Sequence, residues 1–190
     1  MKILITGCAG FIGYSLSKKL LEEKNIVYGI DNLDNYYSTN LKKLRVKNLK
    51  KYTNFYFKKV DISNLNALKN FLHNQCFEYV FHFAAQAGVR YSLINPKKYY
   101  LTNIKGYLNL IESLNKRNIK KIIYASSSSV YGDQKKYPTK EEFFLKAKNP
   151  YALSKVINEK YSEFYSKKYN IVFIGLRFFT VYGEWGRPDM

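Results

Sequence analysis

The sequence predicts an α/β fold in which a doubly wound parallel sheet carries helices on both faces. Two observations lead there. Short β-branched and aromatic runs alternate with longer stretches of helical periodicity, the order expected when parallel strands are joined by helical crossovers. Several of the short runs are apolar throughout, as strands covered on both faces are. The 190 residues suit a single domain over 1–190 with one sizeable core. With 46% hydrophobic and 17% aromatic residues, the chain can bury enough surface to fold despite its charge.

The elements follow in order. A first strand, Lys2 to Thr6, ends on Gly7, and a helical pattern occupies 11 to 24. Ile26 to Ile30 forms a second strand ending at Asp31, with a helix near 40 to 51. Asn54 to Val60 is the third strand and Asp61 closes it, ahead of a helix near 63 to 75. Tyr79 to Phe83 is the fourth strand. The helix near 97 to 116 carries Leu101, Ile104, Leu108 and Ile111 at spacings of 3, 4 and 3, one apolar stripe, widened by Tyr100 and Tyr107. A fifth strand, Lys120 to Ala125, leads through a serine run to a helix near 151 to 168 that bears Ile157, Tyr161, Phe164 and Tyr165. Ile171 to Phe178 is the last strand. Both stripes are read as intramolecular core.

Composition excludes several classes. No apolar stretch approaches the roughly 18 residues of a membrane span. The opening run Met1 to Ile5 breaks at Gly7 without a cleavage-type site, so secretion is not expected. Cys8 and Cys76 are far apart, with His73 and His82 as the only histidines, so neither a disulfide framework nor a metal site is expected. A cytoplasmic location fits best. The net charge of +18 comes from 32 Lys plus Arg against 14 Asp plus Glu. A nucleic-acid binder could carry such a charge, and Lys50 to Lys59 interleaves bases with aromatics as single-strand binders do. Lys, however, outnumbers Arg by 27 to 5 and is spread along the whole chain, whereas Arg is the preferred residue for bidentate phosphate and guanine contacts. Nucleic acid is therefore not the expected partner.

The chemistry is concentrated elsewhere. Strand one runs into Gly7-Cys8-Ala9-Gly10-Phe11-Ile12-Gly13 and then directly into a helix. Such glycines serve a tight turn, close approach of backbone to a pyrophosphate and close helix packing, with the phosphates at the helix N-terminus. Asp31 lies eighteen residues after Gly13. A carboxylate there accepts hydrogen bonds from ribose hydroxyls and repels a 2′-phosphate, so NAD is favoured over NADP; Lys42 and Lys43 argue weakly the other way. Asp61 could meet the adenine amino group or cap the following helix. Farther on, Tyr151 and Lys155 stand at i and i+4 on one face of a helix opened by Asn149-Pro150.

With these motifs the sequence resembles the extended short-chain dehydrogenase/reductase family over essentially its whole length: the glycine loop, Asp31, Asp61, the stretch Phe83-Ala84-Ala85-Gln86-Ala87-Gly88, Asn103, Ser129-Val130-Tyr131-Gly132 and YxxxK. The resemblance implies a Rossmann-type sheet with NAD held by Gly7, Gly10, Phe11, Ile12, Gly13, Asp31, Asn32, Asp61, Ile62, Ala84, Ala85, Asn103, Tyr151, Lys155 and Phe179. It also implies catalysis by Tyr151, Lys155 and Ser127. A free phenol ionises near pH 10, so acting as a base at neutrality costs ~4 kcal/mol, which Lys155 and the positive nicotinamide ring offset. Tyr151 then takes the substrate hydroxyl proton while Ser127, with Ser128 and Ser129 as close alternatives, bonds the oxygen that becomes a carbonyl.

Within the family, dehydratases and decarboxylases place carboxylates where this chain has Ser128 and Ser129, so the resemblance implies return of hydride, that is, epimerisation. Ala84 to Ser92 and Leu176 to Met190 look like UDP-glucuronate 4-epimerases, which implies a UDP-sugar substrate with Gln86 in the sugar site and the uronate carboxylate held by Thr180 and Arg187. An Arg matches a planar carboxylate through two parallel bonds. Glu184 stands where the family has Pro. His82 is expected to be structural. Relatives dimerise through a four-helix bundle, which implies a homodimer through helices 97 to 116 and 151 to 168. Family members also continue past the Arg-Pro-Asp-Met segment into a smaller substrate lobe, whereas this chain stops at Met190. The expectation is a cofactor half with little turnover by itself.

Overall fold

The computed structural model describes residues 1–114, 118–134 and 136–186. Six parallel strands form one sheet: β1 (Lys2–Thr6), β2 (Ile26–Asp31), β3 (Phe55–Lys59), β4 (Tyr79–His82), β5 (Lys121–Ser127) and β6 (Val172–Phe178). Their order across the sheet is β3-β2-β1-β4-β5-β6. The order reverses between β1 and β4, which pair in parallel from Ile3 opposite Tyr79 to Thr6 opposite His82. A crevice opens at the carboxyl ends of the strands where such a reversal occurs.

Alternation along β1 divides the core. Leu4 packs with Ile30, Val60, Leu68, Val80, Leu110 and Ile122 on one face of the sheet. Ile3 and Ile5 pack with Tyr14, Leu21, Val27, Leu49 and Phe55 on the other. Successive side chains of a strand point to opposite faces, so one five-residue run serves both layers. The helices on these faces are α1 (Phe11–Glu22), α2 (Thr39–Leu49), α3 (Leu65–Leu72), α4 (Val89–Ile94), α5 (Pro96–Tyr99), α6 (Gly106–Leu114) and α7 (Pro150–Tyr169). Side-chain caps start four of them: Ser38 accepts from Leu41 N–H, Asn64 from Ala67 N–H, Asn95 from Lys98 N–H and Asn149 from Ala152 N–H. Each is worth about 1 kcal/mol. The cap of α3 is Asn64, so Asp61 is free of that role.

Three features differ from the sequence reading. Helix α4 occupies a segment to which the sequence reading assigned no element; its six residues are too short to show a period. The helix expected over 97 to 116 is composite: α5 widens into a π-helical stretch, Tyr100–Lys105, before α6, and residues 115 and 116 lie outside the described residues. A π segment shifts the helical phase. The fully buried positions are therefore Asn103, Tyr107, Leu110, Ile111 and Leu114, while Leu101, Ile104 and Leu108 are only half-buried and Tyr100 is exposed.

On α7 the buried face is small and polar: Ala152, Ser154, Lys155, Asn158 and Ser162, with Tyr165. Turning Lys155 toward the sheet points Leu153, Tyr161 and Phe164 outward; Leu153 is 51% and Phe164 59% exposed. The expected core stripe thus contributes only Tyr165 to the buried face. No helix among the described residues is long and apolar enough to cross a membrane.

Candidate cofactor and catalytic site

A cleft of about 610 Å³ opens at the β1/β4 reversal. Its floor is the turn from β1 into α1. Gly7 adopts φ +76, and a Cβ there would lie 2.6 Å from the backbone of Phe83 and Ala84. A Cβ on Gly13 would lie 2.1 Å from the Gly7 carbonyl oxygen. The loop, α1 and the end of β4 are thus in backbone contact, which only glycine permits. Gly10 caps α1 without any side-chain bond, and the first turn holds no acid. The positive end of the helix is left for an anion.

Both faces of the loop are gripped. Ala9 N–H donates to Asp31 Oδ2 at 3.1 Å, and Leu33 N–H donates to Asp31 Oδ1 at 2.8 Å. Burial pushes the Asp31 carboxyl up, against the lowering effect of those two backbone bonds. Lys42 is committed rather than available to a 2′-phosphate: its ammonium donates to the Asp34 carbonyl at 2.6 Å and sits 4.3 Å from the Tyr37 ring centre. Lys43 is exposed on α2.

At the other end, Tyr151 and Lys155 project from the first turns of α7. The Lys155 ammonium donates to the Ala125 carbonyl at 2.8 Å and lies 5.9 Å from the Tyr151 ring centre. Burial brings Lys155 down to about 8, because desolvation penalises the charged form. β5 runs two residues beyond the expected Ala125, into Ser127, and this sets the direction of each serine. Ser126 donates to Glu159 at 2.5 Å and is thereby occupied. Ser127 Oγ accepts from Ser129 N–H at 3.2 Å, which leaves its own proton free to bond a substrate oxygen.

The structure brings together in the cleft lining Gly7, Gly10, Phe11, Ile12, Gly13, Asp31, Asn32, Ile62, Ala84, Ala85, Gln86, Ser127, Ser128, Ser129, Tyr151, Lys155, Phe179 and Thr180. Asp61 and Asn103 stand one step back. Asp61 accepts from Asn32 Nδ2 at 2.9 Å and from Ser63; burial would raise its carboxyl, but those bonds hold it below its ordinary value. Asn103 accepts from Gln86 N–H at 2.7 Å and donates to Gln86 O and Ser154 Oγ, both at 3.0 Å. It locks the β4–α4 turn onto α7. Arg187 lies outside the described residues.

Sequence reasoning missed the contacts that cross the cleft. Lys98 pairs with Asp34 at 3.0 Å, and the Tyr36 and Tyr91 rings meet at 5.1 Å. The Tyr99 hydroxyl donates to the Ala87 and Gly88 carbonyls at 2.9 and 2.5 Å, which holds Gly88 at φ +103. These partners lie 11 to 64 residues apart, so no local period signals them. Among the described residues no cluster of three or more His, Cys, Asp or Glu could hold a metal.

The sheet order, the glycine turn, the carboxylate at the end of β2 and the Tyr/Lys pair define a Rossmann-type domain of the short-chain dehydrogenase/reductase kind. Residues 3–190 match the NAD dependent epimerase/dehydratase family, and the chain belongs to it. The family's cofactor is NAD, and the cradle that Gly7 and Gly13 leave beside the N-terminus of α1, with Asp31 at the end of β2, fits it. Protein CapI of Staphylococcus aureus is 47% identical over the whole chain, which spans 57% of that protein. A Bacillus cereus UDP-glucuronic acid 4-epimerase in complex with UDP-glucuronic acid and NAD superposes with a TM-score of 0.93 at 35% identity, covering all of this chain and 60% of that one. A Thermotoga maritima UDP-glucose 4-epimerase with UDP-glucose gives 0.86 at 36% identity, covering 96% and 57%. The chain therefore spans a little over half the length of these relatives.

His82 generates a test of the polar floor. The Ala84 N–H donates to Thr6 Oγ1 at 3.2 Å, and Thr6 Oγ1 shares a hydrogen bond of 2.8 Å with His82 Nδ1. Burial, with Lys155 nearby, brings His82 down to about 3. The unfolded chain, with an ordinary histidine near 6.5, binds the extra proton first. Stability from this group is complete above about pH 6.5 and falls toward pH 3 at up to about 1.4 kcal/mol per pH unit. Urea melts from pH 7 to 4 should show this loss, and His82→Gln should flatten the slope across that window.

Proposed function

We propose that this chain is the cofactor and catalytic half of a UDP-sugar 4-epimerase that interconverts UDP-glucuronate and UDP-galacturonate. The observation that carries the reading is the placement of charge in the cleft. Among the described residues lining it, the carboxylates are Asp31 and Asp34, which belong to the β2 end. The Tyr151 end offers hydroxyls and an ammonium. A site that oxidises a sugar without an additional acid or base beside the reacting carbons favours return of hydride over elimination.

The residues divide the work as follows. NAD, when bound, accepts the hydride of sugar carbon 4 and returns it to the opposite face. Gly7, Gly10 and Gly13 admit its pyrophosphate to the helix N-terminus, and Asp31 takes the ribose hydroxyls. Tyr151 removes the proton of the carbon 4 hydroxyl, with the phenolate stabilised by the Lys155 charge. Ser127, flanked by Ser128 and Ser129, holds the oxygen as it becomes a carbonyl. Asn103 fixes Gln86 at the sugar end, and Phe179 closes over the nicotinamide side. Thr180, with Arg187 beyond it, holds the uronate carboxylate, which keeps the β-keto acid from losing carbon dioxide. UDP-glucuronate is preferred over an uncharged UDP-hexose because the B. cereus UDP-glucuronic acid 4-epimerase superposes over the whole chain with a TM-score of 0.93, against 0.86 over 96% of it for the T. maritima UDP-glucose 4-epimerase.

The outward apolar residues of α7, Leu153, Tyr161 and Phe164, and the exposed Tyr100 of the π-helical stretch support a homodimer through these helices. Burying large apolar side chains in pairs gains about 1.5–3 kcal/mol each. The cytoplasm is the proposed location, where sugar nucleotides and reduced Cys8 and Cys76 are both expected.

Three outcomes follow. Acid precipitation of the purified chain releases NAD, read by its ultraviolet absorbance. Tyr151→Phe still releases it but, assayed with a C-terminal half supplied, loses epimerisation by about 10²–10⁴-fold; these 190 residues alone turn over little. Robust activity of the short chain by itself would refute the division of labour. In the second test, Arg187→Ala lowers turnover of the uronate selectively; equal losses on UDP-glucose would point to an ordinary UDP-hexose 4-epimerase. Third, sedimentation at micromolar concentration gives a dimer mass that Phe164→Glu converts to monomer, and a monomeric wild type would remove the proposed interface.

A further inference from the structure

The cation that the catalytic reading leaves unused is Arg45, on the inner face of α2. It is fully buried at 0% exposure, and among the described residues no carboxylate pairs with it. Its Nη1 donates to the Ala9 carbonyl at 2.9 Å and to the Tyr37 hydroxyl at 2.7 Å. Its Nη2 donates to two consecutive carbonyls, Trp185 at 2.5 Å and Gly186 at 3.2 Å. Nε has no partner. A buried charge whose described partners are all neutral oxygens is expensive, so its retention calls for a compensating role.

The far partner is unusual in its own right. Trp185 has φ +62, the left-handed region that a bulky side chain rarely adopts. That conformation is what turns the 185 and 186 carbonyls toward one guanidinium nitrogen. The Trp185 ring is also seated on Tyr14 of α1, with centroids 5.5 Å apart. The turn Gly183–Gly186 is thereby fastened at two points to the elements that build the phosphate loop. Gly186 immediately precedes Arg187 in the chain.

We infer that Arg45 is a positioning residue that clamps the 183–186 turn to the glycine loop, so that occupancy of the cofactor site and the position of this turn are coupled. An anionic pyrophosphate at the N-terminus of α1 supplies a counter-charge close to the Ala9 carbonyl that Arg45 holds, because unlike charges attract strongly where water is excluded. Holding Ala9 and the 185–186 carbonyls with one guanidinium then transmits that stabilisation to the start of the carboxylate-binding segment. This last consequence rests on the role proposed above for Arg187; the clamp itself does not.

Trp185 is the one tryptophan of the chain, so its fluorescence reads the clamp directly. Acrylamide quenching of the apo chain should rise at least twofold in Arg45→Met, stay put in the surface control Lys47→Met, and fall between the two in Arg45→Lys, which keeps the charge but not the fork. Coupling is read by calorimetric NAD affinity in two variants that remove the same side chain. Trp185→Gly can still adopt positive φ, whereas Trp185→Pro cannot. The proline variant should bind NAD at least tenfold more weakly than the glycine variant. Equal affinities of that pair overturn the coupling, and unaltered quenching in Arg45→Met overturns the clamp. If Arg45→Met does not fold, the proline and glycine pair, which leaves the buried cation in place, decides the matter. Absence of NAD binding in the wild type would mean that the cofactor reading has failed and the coupling with it, while quenching would still decide the clamp.

Discussion

The rest of the structure depends on a backbone contact at the place where the strand order reverses. Gly7 and Gly13 bring three segments together with no room for a single Cβ between them: 2.6 Å to the end of β4 and 2.1 Å across the loop to α1. That approach sets how far α1 can sink onto the sheet and therefore where its N-terminus points. It also brings Ala84 N–H within reach of Thr6, which in turn fixes the neutral His82 ring beneath the catalytic end. One steric constraint thus orients both halves of the cleft.

Behind the cleft lies a layer of polar groups most of which bond one another, although the Asn158 side-chain amide has no partner among the described residues. Lys155 rests on the Ala125 carbonyl, and Asn103 ties Gln86 to Ser154. Tyr107 stacks on His82 and bonds Ser162, whose proton goes to the Asn158 carbonyl. Buried polar groups of this kind are costly unless paired, and when paired they select one geometry. The π-helical stretch at Tyr100–Lys105 is part of the same arrangement, because it is where the helix yields to place Asn103 inward. Local helical regularity has been exchanged for the position of one amide.

The net charge of +18 takes on a different meaning once the lysines are placed. Most are on exposed faces, where ion pairs such as Lys18 with Glu22 and Lys19 with Glu23 are solvent-screened and contribute little. Among the described residues three cations are buried instead, Lys42, Arg45 and Lys155, and all lie along the cleft or its glycine loop. A positive, partly desolvated lining suits a dinucleotide and an acidic sugar nucleotide better than it suits a nucleic-acid chain, which needs its bases on an accessible surface.

Local chemistry was sufficient to reveal the sheet, the glycine turn, Asp31 and the Tyr151/Lys155 pair, because each rests on short-range requirements: an apolar run, a positive φ, a carboxylate at a strand end, an i, i+4 spacing. The same reasoning misjudged the outward stripe of α7 and passed over α4, since a helical period states which residues share a face but not which face meets the core. Folding alone decided that the Ser126 proton is spent on Glu159 while Ser127 serves only as acceptor to Ser129 N–H, that Asn103 serves Gln86, and that Arg45 reaches across 140 residues to Trp185. Those choices depend on where distant backbone oxygens converge, and a linear pattern carries no record of that convergence.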